Sequence, residues 1–320
     1  MNEFLLINKY LKPLALKNPG ALKLNDDIYF DAKKGIGISV DTYVQGVHFI
    51  NSSDPNKFLK KILRASLSDL YCKGIKPKSY FLSFALNNKL ANPAWLQKVK
   101  KILNNEQKKF DISLGGGDTV YSSKLVITVI VLGNVVDKPV FRHNCKLKED
   151  IYVTGNIGDS FLGLSILKKK ASFGKFNSFF IKKYYEPHLQ TKISSQLCKI
   201  ASAAIDISDG LVQDLQHLCN NSKCGAYINL NLIPLSPFTK ILLKRKKVFL
   251  KNLFSKGDDY QILFTSSTKN RSKIISLSKN LSTKITKIGS IKKGKDIVFE
   301  YNTKEFKLNT KKKGFIHNFQ

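Results

Sequence analysis

Arginine is scarce in a sequence that is otherwise strongly basic. Only four of the 54 lysine and arginine residues are arginine; 23 residues are acidic, and the formal net charge is +31. Because arginine makes the bidentate contacts that nucleic-acid recognition favours, scattered lysines indicate solvated surface and A+T-rich codon usage rather than a dedicated binding face. We therefore expect no specific nucleic-acid partner. A polyanion-binding protein is kept as an alternative.

Long hydrophobic runs are also missing. The longest uncharged apolar run, Val126 to Gly133, has about eight residues, whereas a membrane helix needs about 20. The N-terminal apolar patches are broken by lysines, so neither a membrane span nor a signal peptide is expected. The five cysteines form no CxxC pair, which predicts free thiols, no zinc site and a cytoplasmic location.

The familiar catalytic motifs are absent from the sequence. It contains no GxxxxGK[ST] loop, no GxGxxG after a predicted strand, no HExxH, no GxSxG and no set of protein-kinase motifs. These absences exclude P-loop enzymes, dinucleotide-binding enzymes of the usual pattern, zinc proteases of the HExxH type, α/β-hydrolases and protein kinases.

A chain of 320 residues predicts two domains. The first, residues 1–136, alternates predicted helices and strands, with a helical stripe from Asn56 to Cys72 that Gly74 ends. Its apolar strand Leu125 to Leu132 would be an exposed edge unless a second subunit covered it. The second domain, residues 137–320, opens with a linker that runs to Asp150 and continues with further strands and helices.

The few acidic residues lie at strand ends and beside glycines. Asp41 ends a predicted strand, on the face that also carries Ser39, and Asp118 follows three glycines. Carboxylates in such places bind Mg²⁺ together with substrate phosphates, and glycines let backbone N–H groups approach a phosphate. Each occurrence alone is also typical of a turn, a helix start or a solvated face, but jointly they predict a metal and phosphate site. The set comprises Asp26, Asp27, Asp41, Asp69, Asp118, Asp206, Asp209, Asp258 and Asp259.

In these motifs the chain resembles the thiamine-monophosphate kinase family, within the superfamily of aminoimidazole ribonucleotide synthetase. The resemblance runs from about Asn25 to Phe315 and is most specific at Asp206-Ile207-Ser208-Asp209-Gly210-Leu211. The segment Gly116-Gly117-Asp118-Thr119 also matches directly. Further matches are Ser39 to Phe49, Ser66 to Pro77, Arg142, Tyr152 to Gly155 and Gly257 to Tyr260.

The resemblance implies an enzyme that uses ATP and several Mg²⁺ ions to phosphorylate thiamine monophosphate, giving thiamine diphosphate. The implied metal ligands are Asp27, Ser39, Val40, Asp41, Asp69, Asp118, Asp206 and Asp209. The implied ATP contacts are Asp27, Gly117, Asp118, Arg142 and Ser208. The implied contacts with the thiamine end are His48, Asp258 and Phe315.

The chain also departs from the family pattern. Val40 replaces a threonine and keeps only a backbone carbonyl, and Asn25 replaces a glycine of the first metal loop. Asp258 is one methylene shorter than the family's glutamate. Cys72-Lys73 stands where the family has Ala-Met, which is interpreted as a packing change.

The implied fold is α/β (α+β), a two-domain architecture like that of aminoimidazole ribonucleotide synthetase. A ferredoxin-like N-terminal domain would bind ATP and Mg²⁺ and form a homodimer, and a C-terminal α/β domain would complete the site. Because the acceptor phosphate is already ionised near neutral pH, we expect direct in-line transfer without a general base or covalent nucleophile. The alternative is another ATP-using enzyme of the same superfamily.

Overall fold

The computed structural model describes residues 2–135 and 137–308, and these form a mixed α/β structure with two sheets, which confirms the predicted fold class. The first sheet consists of β1 (Tyr29–Asp31), β2 (Ile36–Val44), β3 (Ile75–Leu86), β4 (Ser113–Tyr121) and β5 (Val126–Val135), in the spatial order β1-β2-β5-β3-β4. The second consists of β6 (Asp150–Thr154), β7 (Ala203–Asp206), β8 (Gly225–Asn229), β9 (Ile262–Ser266), β10 (Ile285–Lys292), β11 (Ile297–Tyr301) and β12 (Lys304–Glu305), in the order β12-β11-β8-β10-β6-β9-β7.

Helices flank both sheets. They are α1 (Glu3–Leu6), α2 (Lys12–Ala15), α3 (Leu59–Tyr71), α4 (Pro93–Phe110), α5 (Asp159–Leu167), α6 (Asn177–Tyr185), α7 (Thr191–Ser194), α8 (Leu211–Ser222), α9 (Pro237–Lys244), α10 (Leu250–Ser255) and α11 (Arg271–Asn280). A π-helical turn, Ile7–Leu11, joins the first two, and 3-10 turns lie at Pro19–Leu24, Pro55–Lys57, Gly174–Phe176, Leu197–Lys199, Leu230–Leu232 and Thr268–Asn270. In the described part of the chain, no helix combines the length and the apolar character that crossing a membrane requires.

Helix α3 covers the inner face of the first sheet, as its apolar stripe predicts. Its buried residues include Leu59, Ile62, Leu63, Leu67 and Leu70. The helix ends just before Gly74, whose φ of +76° lies in the left-handed region that favours glycine. Burying this stripe against the strands supplies most of the helix's stability.

The apolar strand at residues 125–132 is not an exposed edge, contrary to the sequence-based expectation. In the structure β5 lies in the interior of the first sheet, paired antiparallel with β2 on one side and β3 on the other. The exposed edge is β4, which pairs in parallel with β3 and carries the three consecutive glycines. All nine residues of β4 are exposed. Interior pairing explains why β5 is apolar. Strand β4 contains three glycines, so its sequence does not show the alternation of apolar and polar side chains that would predict a strand.

The two sheet-containing units are joined by more than the connection between β5 and β6. Along that connection, the Val140 N–H donates to the Lys73 carbonyl over 2.9 Å. A second bridge runs from α3, where the Arg64 guanidinium pairs with Glu106 of α4 and also donates to the Pro187 carbonyl over 3.1 Å. These contacts hold the connection after β5 and the loop that follows α6 against α3 and the residues just after it.

Candidate active site

A cluster of carboxylates lies where α3 meets β2, β7 and the loop before β1. On β2, the Ser39 hydroxyl donates to the Ser66 carbonyl over 3.1 Å, so the face shared by Ser39 and Asp41 is covered by α3. The Asp41 carboxylate accepts a hydrogen bond of 3.1 Å from the Tyr43 hydroxyl. From β7, the Asp206 carboxylate accepts one of 2.9 Å from the Ser68 hydroxyl.

Two cations hold the acidic pair before β1. The Lys73 ammonium lies 2.9 Å from Asp26 Oδ1 and 2.8 Å from Asp27 Oδ2, and it donates to the Ala204 carbonyl over 2.8 Å. The Arg142 guanidinium pairs with both oxygens of Asp27, and its backbone N–H donates to Asp26 Oδ2 over 2.8 Å. Lys73 is therefore an ion-pairing residue at the centre of the site, and the interpretation of Cys72-Lys73 as a packing change is wrong for the lysine.

The remaining carboxylates repel one another in a buried setting. Burial first, and then repulsion by Asp41 and Asp206, raises the pKa of Asp69 well above its ordinary value. Burial also raises the pKa of Asp206 to about 6, although the Ser68 hydroxyl and Lys73 oppose the change. Such carboxylates are stabilised by a further cation.

The cluster fits a magnesium ion. Asp206 is 1% exposed, and its Oδ1 is buried with no hydrogen-bond partner among the described residues. One ligand atom each of Asp27, Cys72 and Asp206 lie within 4.8 Å of one another. Carboxylate oxygens are the ligands that Mg²⁺ prefers and a thiol is not, so the two aspartates are the suitable members of this group.

A second polar group surrounds Asp258. The Lys61 ammonium from α3 lies 2.7 Å from Asp258 Oδ1 and 3.7 Å from the centroid of the Tyr184 ring. The Tyr184 hydroxyl donates to the His48 carbonyl over 3.3 Å, and the His48 Nδ1 accepts from the Val44 N–H over 2.9 Å. The structure thus links His48 to Asp258 through two residues. Phe315, the third residue expected here, lies outside the described residues.

The Ser208 and Asp258 loops lie against each other. The Asp258 N–H donates to the Ser208 carbonyl over 2.8 Å, and the neighbouring Asp209 carboxylate accepts from the Gln213 side chain over 2.7 Å. Burial raises the pKa of Asp209 to about 6. Gly257 makes the close approach possible, because an added Cβ would lie 1.8 Å from the Ser208 oxygen.

We expect Gly257→Ala to weaken substrate binding and stability together. The new methyl group must push the Asp258 loop away from Ser208, at a cost of about 1–3 kcal/mol in unfolding free energy. The displaced loop should raise the KM for the acceptor by about 10- to 100-fold. Denaturant titration and steady-state kinetics measure the two effects. Gly174→Ala is the control for the kinetic effect: alanine at a φ of +58° costs some stability, but no atom lies within 4 Å of the added Cβ, so its KM should equal that of the wild type. An unchanged KM in Gly257→Ala would contradict the steric argument.

Gly117 and Asp118, two of the expected site residues, lie apart from the cluster, whereas Val40 is next to Asp41 on β2. Across the sheet, Gly117 pairs with Leu82, Leu82 with Val129 and Val129 with Asp41, so Gly117 and Asp41 are on the same face. Strands β3 and β5 nevertheless lie between β4 and β2. Asp118 belongs to the next row, so its side chain lies on the opposite face of the sheet, about 14 Å from β2. The Val40 side chain also lies on this opposite face and is exposed.

Sequence reasoning missed several residues of the site. The hydroxyl groups of Tyr43, Ser66 and Ser68 orient the carboxylates, and Lys61 neutralises Asp258. The signal for the lysines was available, because Lys61 interrupts the apolar pattern of α3 and Lys73 follows it directly, while the other buried positions of the helix except Arg64 are apolar or small. A lysine in such a position needs a buried anion.

Comparison with known proteins first gives the broad class. Residues 20–135 match the family model described as AIR synthase related protein, N-terminal domain. Hydrogenase maturation protein HypE in complex with ATP has a TM-score of 0.68 at 15% identity over 95% of this chain and 93% of its own, a likeness of fold alone. The fold is therefore that of the AIR synthase-like proteins.

Full-length similarity narrows the class to one family. Thiamine-monophosphate kinase of Buchnera aphidicola subsp. Schizaphis graminum is 38% identical over 99% of this chain and 98% of its own. The enzyme of Escherichia coli K12 is 33% identical over 84% of each chain. AaThiL complexed with AMPPCP and TMP has a TM-score of 0.84 at 26% identity over 99% of this chain and 97% of its own. The chain belongs to the thiamine-monophosphate kinase family.

Proposed function

We propose that this protein transfers the γ-phosphate of ATP to thiamine monophosphate, forming thiamine diphosphate and ADP. The observation that carries the proposal is the buried carboxylate cluster around the unpaired Asp206 Oδ1, in a chain of this family. The relative AaThiL, which was solved with AMPPCP and TMP, supports both substrates.

The reaction is proposed to depend on several Mg²⁺ ions. Bound Mg²⁺ would neutralise the phosphate charges that otherwise keep donor and acceptor apart. Its proposed ligands are Asp27, Ser39, Val40, Asp41, Asp69, Asp118, Asp206 and Asp209. Asp206 is best supported, because its Oδ1 is buried and unpaired, whereas both oxygens of Asp27 pair with Lys73 or Arg142. Val40 would act only through its carbonyl.

The nucleotide and the acceptor are proposed to bind next to each other, since the Asp258 N–H donates to the Ser208 carbonyl over 2.8 Å. The proposed ATP contacts are Asp27, Gly117, Asp118, Arg142 and Ser208. On the acceptor side, His48 and Asp258 would orient the thiamine end, assisted by Lys61 and with Phe315 as a further proposed contact. Since Lys61 is nearly buried and pairs with Asp258 at 2.7 Å, it would hold that carboxylate in place for the acceptor.

The protein's own contribution is positioning rather than covalent chemistry. The acceptor's phosphate oxygen is already an anion near pH 7, so no side chain has to remove a proton from it. The His48 Nδ1 is occupied by a backbone N–H, which suits a positioning residue better than a general base. We therefore propose direct in-line transfer.

Product analysis tests the proposal. The purified protein is incubated with Mg-ATP and thiamine monophosphate, and we expect ADP and thiamine diphosphate in equal amounts. The substrate of an aminoimidazole ribonucleotide synthetase is the control for the alternative function. Turnover of the control but not of thiamine monophosphate would reject the proposal. With a chiral γ-phosphate, inversion is expected, whereas retention would indicate a phosphoenzyme.

A homodimer is proposed as the working assembly, with residues 1–136 forming the contact and residues 137–320 completing each site. The support is the unpaired edge β4, where Tyr121 is exposed, together with the outer face of the first sheet, where Val40 and Val120 are exposed. Asp118 lies on the same outer face, so its proposed role requires β4 to move or a second copy to bring substrate against it. The mass in solution tests this assembly.

A cytoplasmic location is proposed from the state of the cysteines. All five are free thiols, which suits a reducing compartment.

The positive charge is expected to contribute little to function. Lys169→Gln and Lys246→Gln each remove one charge from residues outside the described ion pairs, and turnover should change less than twofold, which is about 0.4 kcal/mol. Binding to duplex DNA, measured by fluorescence anisotropy, should disappear as salt rises because it rests on counterion release. Tight, sequence-selective binding at physiological salt would instead support the polyanion-binding alternative.

A further inference from the structure

Lys73 has an ammonium group with complete internal coordination. The residue is 0% exposed. Its Nζ lies 2.9 Å from Asp26 Oδ1, 2.8 Å from Asp27 Oδ2 and 2.8 Å from the Ala204 oxygen. An ammonium group has three protons, so each has one oxygen acceptor.

These three oxygens are also suitable for a divalent cation. Two carboxylates and a backbone carbonyl are hard oxygen donors of the kind that Mg²⁺ and Mn²⁺ bind. A metal ion cannot approach all three while the ammonium lies between them. Arg142 further restricts Asp27, because its guanidinium pairs with both oxygens of that carboxylate.

The rest of the cluster stays available. Asp206 Oδ1 has no partner among the described residues, and Asp69 is close enough to Asp206 for their charges to interact. The lysine therefore neutralises one side of the cluster and leaves the other for metal.

We infer that the Lys73 ammonium is a resident cation that replaces one divalent cation between Asp26 and Asp27. The inference rests on the metal dependence in the proposed function. It means that this chain binds one divalent ion fewer than the same carboxylates would bind without the lysine. Lys73 is thus a positioning residue that sets the metal stoichiometry.

Counting Mn²⁺ ions tests the inference directly. Free Mn²⁺ is measured by electron paramagnetic resonance during titration of the full chain without nucleotide. Lys73→Met keeps an unbranched side chain of similar length but removes the charge. We expect Lys73→Met to bind about one Mn²⁺ per chain more than the wild type. The dissociation constant of this extra ion should be at least about tenfold lower than that of any further Mn²⁺ that the wild type binds over the same titration range. An unchanged count would overturn the inference.

A nearby lysine gives the matched control. Lys76 also pairs with an aspartate, Asp111, at 2.7 Å, but both side chains are exposed. Lys76→Met should therefore leave the Mn²⁺ count at the wild-type value. The double variant Asp26→Asn/Lys73→Met removes a carboxylate with the lysine and should also return to that value. An extra ion kept in the double variant would place it elsewhere and overturn the inference.

Loss of the buried lysine could destabilise the fold, and this outcome is also decisive. In that case Mn²⁺ should raise the melting temperature of Lys73→Met by several degrees more than that of the wild type, because the ion restores the missing charge. Equal shifts would overturn the inference. Failure of the wild type to form thiamine diphosphate would reject the proposed function and leave the Mn²⁺ counts, which need no substrate, as a separate result.

Discussion

Asp206→Asn should reduce turnover by about a thousandfold while leaving the fold intact. The Asp206 carboxylate has a buried, unpaired oxygen beside Asp27, and the amide supplies no negative charge with which to hold a cation there. The fold should tolerate the change, because burial already disfavours the charged carboxylate and raises its pKa to about 6. Initial rates with Mg-ATP and thiamine monophosphate, together with thermal unfolding, measure both parts.

The matched control for this variant is Asp296→Asn, which removes one charge from an exposed residue near the start of β11. Its turnover should equal that of the wild type. If Asp206→Asn kept more than a tenth of the wild-type rate at limiting Mg²⁺, Asp206 would not be a metal ligand.

Arg64→Met should have the largest effect on stability. The Arg64 guanidinium makes two hydrogen bonds, of 2.7 and 2.8 Å, to the Glu106 carboxylate, and both side chains are nearly buried. Removing the arginine leaves a buried carboxylate without its cation, which costs about 3–5 kcal/mol of unfolding free energy. It also removes the hydrogen bond to Pro187. Urea or guanidinium denaturation measures the loss.

Lys60 offers a comparison on the same helix. Its ammonium pairs with Glu186 at 2.7 Å, but the side chains are 25% and 32% exposed. Lys60→Met should cost less than about 1 kcal/mol. Adding Glu106→Gln to Arg64→Met should recover part of the loss, since the unpaired charge disappears. A loss below 1 kcal/mol for Arg64→Met would show that burial does not make this ion pair important.

The fold could be predicted best where local pattern and tertiary packing agree. Helix α3 has a regular apolar stripe and a terminating glycine, as the sequence predicts. Strand β4 could not be found this way, because Gly115, Gly116 and Gly117 have no side chains to alternate and pairing with β3 supplies the strand. Helix α6 has apolar residues at Phe179, Phe180 and Ile181 in succession, which conceals a helical period.

The site was predictable in its residue types and only partly in its geometry. Motif order pointed to the aspartates, and α3 and β7 bring Asp69 and Asp206 together. A linear motif does not tell which face of a strand a residue occupies, and register alone separates Asp118 from Asp41. It also does not show that Lys73, at a packing position, contacts two carboxylates and a carbonyl that lies 131 residues further along the chain, because chain topology decides that contact.

The contacts from α3 to β7 also bear on how the protein assembles during translation. Ser68 donates a hydrogen bond to Asp206, and Lys73 donates one to the Ala204 carbonyl. Both acceptors are translated long after α3. A ribosome adds about 5–20 residues per second, so the roughly 70 residues between β5 and β7 take about 4–14 s. Throughout that interval the emerging N-terminal half has a complete sheet but a lysine with only two of its three acceptors. The carboxylate cluster at α3 therefore becomes complete when β7 leaves the ribosome, and a nascent chain that stops before it should be a substrate for chaperones.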